Sequence, residues 1–158
     1  MDIKKIERSD IGDVLALIRA KAEFDGCLDS LKSKEAEIED AFFSDEPKAK
    51  AIIASIEGKA VGIATFYGIY STFIAKSGIW LDDLFVYEEY RKYGAGRALI
   101  SELCKIAKET GCGRIDWIVA RDNVSGRGFY NSVGATIFEE VRHSRLDEKA
   151  ITRLAGYA

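Results

Sequence analysis

The residues of this chain best suited to chemistry lie between positions 82 and 97, in the run DDLFVYEEYRKYGAGR. An apolar segment carrying two adjacent carboxylates, Asp82 and Asp83, runs into a turn with Arg91, Gly94 and Gly96, and then into an amphipathic stretch. Glycines in such a turn let backbone N–H groups face outward, and a helix N-terminus adds about half a positive charge through its aligned peptide dipoles. Together these make a cradle for a pyrophosphate. A Walker loop needs Gly-Lys followed by Ser or Thr, and this chain has Gly96-Arg97-Ala98. A dinucleotide fingerprint needs a third glycine where Leu99 stands. The spacing is instead Arg-x-x-Gly-x-Gly, from Arg91 to Gly96. On the turn alone, a phosphate cradle and a plain strand-to-helix connection are equally good readings.

Composition removes several function classes. His143 is the only histidine and sits in the polar run VRHSRLDE, so it is read as a strand-surface residue, and enzymes that lean on histidine as base or ligand have little to work with. Cys27, Cys104 and Cys112 are odd in number and too dispersed for a disulfide framework or a metal knuckle. No metal is therefore expected, and a reduced, cytoplasmic compartment fits. A net charge of −3 argues against nucleic acid, whose binding draws on basic patches, and is compatible with a cationic substrate. The start MDIKKIERSD has no signal-type apolar run, and no later stretch approaches the roughly 20 residues that span a bilayer. A soluble, unprocessed chain without a membrane partner is the expectation. A length of 158 residues suits a single domain, 1–158, with a core that needs no staples.

The elements that must position these residues follow from periodicity and turn chemistry. Asp2 to Glu7 reads as a strand, Ser9 as a helix cap, and the stretch to about Phe24 as an amphipathic helix, with a second helix from Lys34 to Phe43. Lys50–Glu57 and Ala60–Tyr70 read as a hairpin about Gly58-Lys59, and Gly78–Tyr87 as an apolar strand. Gly94–Glu109 carries Ala95, Leu99, Leu103 and Ile106 at helical spacing, with Gly111 at its end. Arg114–Ala120 reads as a strand, Asn123–Ser132 as a short helix stopped by Gly134, and a last strand or two as the C-terminal part. This is a mixed α/β (α+β) layout with a strand-helix-strand crossover over residues 78–120.

The turn and its surroundings resemble the GNAT superfamily of N-acetyltransferases, whose cofactor loop reads Arg/Gln-x-x-Gly-x-Gly/Ala after the fourth strand. Tyr70-Ser71-Thr72-Phe73, Leu81 to Val86, Asn123 and Phe129-Tyr130 followed by Gly134-Ala135 are similar to the spermidine/spermine (diamine) branch, as are Ala22 to Asp25 and Arg153 to Ala155. The resemblance covers essentially the whole chain. It implies a central, mostly antiparallel sheet of six to seven strands, with parallel fourth and fifth strands splayed apart and helices on both sides. It also implies acetyl-CoA as cosubstrate and a small cationic amine as acceptor: a diamine, a polyamine or a lysine-like amino acid.

By that resemblance, backbone groups of Leu84, Phe85 and Val86 meet the pantetheine and the acetyl carbonyl. Arg91, Lys92, Tyr93, Gly94, Ala95, Gly96 and Arg97 take the pyrophosphate, and Asn123 and Gly126 face the pantetheine arm. Tyr130 matches the general acid, a phenol whose pKa near 10 suits a departing thiolate. Asp82 stands where the branch has a proposed basic glutamate, and is read as acting through a water relay or by holding the cation. Phe24, Asp25, Asp82, Asp83, Asp116 and Trp117 map to the amine site, with Phe24 or Trp117 open to cation–π contact. Adjacent Asp82 and Asp83 face opposite sides of a regular strand, and a bulge would bring both to the substrate. A structural role for Asp83 is equally open. Glu140-Val141 replaces a family Gly-Trp pair, and the acidic residue before the branch's Pro-Trp is absent around Ser71-Thr72-Phe73. A long-polyamine pocket therefore does not follow. A homodimer through strands near Val141 to Leu146 is also implied. Acetylation of a protein N-terminus or lysine, and a CoA-binding sensor without turnover, are the competing readings.

Overall fold

The computed structural model describes Met1–Gly156, in two compact units, Met1–Trp117 and Ile118 onward. The first unit is a five-stranded sheet in the order β1 (Asp2–Lys5), β2 (Lys50–Ile56), β3 (Lys59–Ser71), β4 (Lys76–Val86) and β5 (Ile115–Asp116). Neighbours are antiparallel except β4 and β5, which are parallel. The β2–β3 hairpin closes on Glu57 (φ 51°) and Gly58 (φ 79°), with Ile56 paired to Lys59. Two left-handed central residues match the right-handed twist of the flanking strands. The turn expected at Gly58-Lys59 therefore lies one residue earlier.

Helices cover both faces of this sheet. On one side, α1 (Ile11–Phe24) and α2 (Glu35–Phe43) bury Val14, Leu17 and Ile38 against Ile53, Ile63 and Phe85. On the other, α3 (Ala95–Glu109) buries Leu99 and Leu103, both fully enclosed, against Ile52, Val61, Ala64 and Leu81. Truncating either leucine to alanine typically costs about 2–5 kcal/mol. Gly62 permits this close packing: a Cβ there would stand 2.9 Å from the Phe85 carbonyl oxygen and 3.0 Å from a Val86 methyl.

In the second unit, α4 (Val124–Ser132) is followed by Gly134 at φ 87°, and α5 (Glu148–Leu154) begins at Asp147, whose carboxylate accepts the Ala150 amide at 2.8 Å. The expected strand Arg114–Ala120 shortens to Ile115–Asp116, because β4 pairs with it only at Ile79 and Trp80. The expected final strands are not found among the described residues, so the sheet has five strands instead of six to seven. The physical reason is visible in Glu139–Leu146, EEVRHSRL, where only Val141 and Leu146 are apolar and no alternating face exists. The segment invoked for dimerisation is thus no strand, and Val141 and Leu146 are 66% and 59% exposed. No helix among the described residues is long and apolar enough to cross a membrane.

Candidate functional site

A bulge in β4 organises the carboxylates. Thr65 pairs with Asp83 and the next residue, Phe66, pairs with Leu81, so Asp82 is the extra residue. Leu81 and Phe66 lie in the cluster under α3, whereas Asp83 bonds Thr65 on the α1 side. Asp82 lies beside Trp80, whose indole N–H donates to its carboxylate at 3.2 Å, and Trp80 pairs with Tyr67 on that same α1 side. Partial burial, and then the nearby charge of Asp82, push the Tyr67 phenol up. The bulge thus turns both Asp82 and Asp83 toward one face, as bulges beside functional sites do.

The four aspartates differ in what they hold. Asp83 accepts the Thr65 hydroxyl at 2.6 Å and lies 3.5 Å from the Lys21 ammonium. Asp25, at the end of α1, also binds Lys21. Burial works against the Lys21 charge, but the hydrogen bond it donates to Asp25 and the charge of Asp83 outweigh it and hold its pKa above the usual value. Asp116 pairs with Arg114 at 2.7 Å. Asp82 is exposed and its bond comes from a neutral indole, which leaves its negative charge available to an external cation. Sequence reading passed over Lys21 and Arg114. Their spacings, i to i+4 on a helix and i to i+2 on a strand, were the signal.

The aromatic residues are placed differently from one another. The Phe24 ring carries the Arg91 guanidinium 4.5 Å from its centroid, and Phe85 lies 5.7 Å from the same group. One face of Phe24 is thus already in a cation–π contact, and the cation is internal. Trp117 packs against the cluster beneath α3, on the side of the sheet opposite Asp82.

The edge of β4 and the turn beyond it form the second half of the site. Past Trp80, no strand pairs with the outer edge of β4 among the described residues. The Tyr87 amide bonds the Val61 carbonyl at 3.0 Å, so antiparallel alternation points the main-chain groups of Phe85 toward β3 and those of Leu84 and Val86 outward. The Val86 carbonyl oxygen accepts Arg91 Nε at 3.0 Å. Arg91 therefore lies back across the phenylalanines and pins the turn.

Lys92 (φ 72°) and Gly94 (φ 88°) are both left-handed, and Tyr93 between them is exposed. Gly94 caps α3 without any side-chain hydrogen bond, and the Ala98 amide is bonded to the Gly94 carbonyl. The preceding amides of Ala95 and Gly96 belong to the first turn, where a helix leaves its donors without backbone partners. A Cβ at Gly94 would meet nothing within 4 Å. An open helix terminus of this kind fits the diphosphate of a CoA-type ligand.

The α4 terminus is built the other way. Asn123 Oδ1 accepts the Gly126 amide at 2.9 Å, and a Cβ at Gly126 would stand 2.6 Å from the Asn123 side-chain nitrogen. Tyr130 lies on α4 with its ring 5.5 Å from that of Phe129. Among the described residues, no group of three or more His, Cys, Asp or Glu is placed to hold a metal.

Residues 16–135 match the acetyltransferase (GNAT) family. A thialysine N-epsilon-acetyltransferase of Sus scrofa is 30% identical over 165 residues, covering 98% of this chain and 96% of that protein. An L-ornithine N5-acetyltransferase of Arabidopsis thaliana is 39% identical over 90 residues, covering 57% of this chain but only 40% of its own length. An integron cassette protein from the mobile metagenome of V. cholerae superposes with a TM-score of 0.78 at 25% identity, over 98% of this chain and 96% of its own. With a family match across most of its length and a relative aligned nearly end to end, the chain belongs to the GNAT family of N-acetyltransferases.

Proposed function

We propose that the protein transfers an acetyl group from acetyl-CoA to a small cationic amine, in the class of diamines, polyamines and lysine-like amino acids. The observation that carries this reading is the bulge at Asp82, which presents a carboxylate with no internal cation beside an open strand edge. Acetyl-CoA would supply an acetyl group activated as a thioester. The amides at the start of α3 would bind its diphosphate, and the outward amides of Leu84 and Val86 would pair with its pantetheine or polarise the acetyl carbonyl. A donor fixed at such an oxygen is typically worth about two to three orders of magnitude in rate.

Asp82 would bind and orient the ammonium. Asp82 would hold the ammonium until its proton passes to water, and the neutral amine would then attack the thioester carbonyl. Tyr130, assigned from its place in the family motif, would hold at Oη the proton that a leaving thiolate takes. The relatives named for ornithine and thialysine support an amine acceptor. The same reading has one domain over 1–158, supported by a family match that runs across the boundary at Trp117, and a cytoplasmic homodimer, tested by sedimentation velocity.

The test is release of free CoA thiol from acetyl-CoA in the presence of a panel of diamines, polyamines, amino acids and a peptide. Turnover with the small amines is expected. Asp82→Asn should lower kcat/KM by about a hundredfold, and Tyr130→Phe should lower kcat by a similar factor. Turnover with the peptide alone establishes the protein acceptor, and tight CoA binding with no turnover establishes a sensor. An unchanged kcat in Tyr130→Phe removes that residue from its role.

A further inference from the structure

Lys21 is a cation already seated among the carboxylates of the proposed amine site. Its ammonium, on a side chain only 23% exposed, bonds Asp25 and stands 3.5 Å from Asp83, whose side chain is 22% exposed. Asp82, the neighbour of Asp83 in the bulge, faces the same side. Of the three carboxylates on this face, two are thus matched by one tethered charge.

We propose that Lys21 is a specificity-determining residue. It occupies the Asp25–Asp83 pair as a substrate's second ammonium would, and so restricts the acceptor to amines with a single net positive centre, held at Asp82. The inference rests on the amine reading of that site.

A structural role accounts poorly for this arrangement. The Lys21–Asp25 pair only bridges one turn at the end of α1, and Asp83 already accepts the Thr65 hydroxyl. The effect on an incoming dication is larger. A second ammonium must either displace Lys21 from both partners or stand beside a like charge in a partly dried site, where screening is weak. Rejection by a built-in like charge is a common way to discriminate between ligands of similar shape. The charge of Lys21 is also stable, because its two carboxylates more than offset its burial. Within the proposed acceptor class, amines carrying a second free ammonium are disfavoured. A lysine-like amino acid, whose far end combines an ammonium with a carboxylate, is accepted.

The test compares 1,4-diaminobutane with n-butylamine, a pair matched in length, using the full chain and the variants Lys21→Met, Lys21→Gln and Lys21→Arg. The two neutral variants should raise the ratio of kcat/KM for the diamine over the monoamine by about tenfold or more, through a lower KM for the diamine. Lys21→Arg should keep the ratio within about threefold of wild type. An unchanged ratio in neutral variants that still acetylate butylamine overturns the inference and leaves amine acetylation standing, as does an equal rise in Lys21→Arg. Turnover of no amine by the wild type overturns the amine reading, and the inference with it.

Discussion

Two helices of this protein begin in opposite ways. The first turn of α4 is closed by its own cap: Asn123 accepts the Gly126 amide, and a Cβ at Gly126 would meet the Asn123 side chain. The first turn of α3 has no side-chain cap and begins at a left-handed glycine, Gly94, with open space where its Cβ would stand. A capped terminus stabilises the helix from within, by about 1 kcal/mol. An uncapped one forgoes that stabilisation and keeps its donors and its partial positive charge for something else. On the proposed reading the contrast favours α3 as the terminus that receives an anion, and it separates α3 from α4 among residues that family resemblance alone assigns to the same ligand.

The comparison breaks most sharply under added charge. Gly96→Glu places a carboxylate among the open amides of α3 and should raise the KM for acetyl-CoA by about a hundredfold, while Ser125→Glu in the first turn of α4 should change it less than about threefold. Steady-state kinetics with acetyl-CoA varied measures both, and equal effects would erase the distinction. A smaller effect sharpens the other side. Asn123→Ala removes the cap and should cost about 1–2 kcal/mol, seen as a fall in Tm of about 3–6 °C by circular dichroism. An unchanged Tm would mean that the cap does not hold α4.

Much of this was legible in the sequence where local chemistry dictates structure. The Gly94-x-Gly96 turn, the α3 periodicity of Leu99 and Leu103, and the hairpin about Gly58 follow from backbone freedom and spacing. Adjacent Asp82 and Asp83 in an apolar strand raised the option of a bulge, and the register places one there. What the sequence concealed depended on distant partners. Lys21 meets Asp83 across 62 positions, and the Arg91 guanidinium lies over Phe24, far behind it in the chain. Neither meeting leaves a periodic trace. The expected strand over Arg114–Ala120 shortened for a related reason: strand formation needs a paired edge, and β4 gives β5 only Ile79 and Trp80. For the candidate site as a whole, residue types were readable, but the allocation of charges among Asp25, Asp82, Asp83 and Asp116 required the fold.

The most direct test is amide chemical-shift mapping as CoA is titrated into isotope-labelled protein. The account predicts saturable shifts at the amides of Ala95, Gly96 and Arg97 that exceed any at the amide of Gly126, which stays bonded to Asn123. Saturable binding that leaves Ala95 to Arg97 unmoved would contradict it.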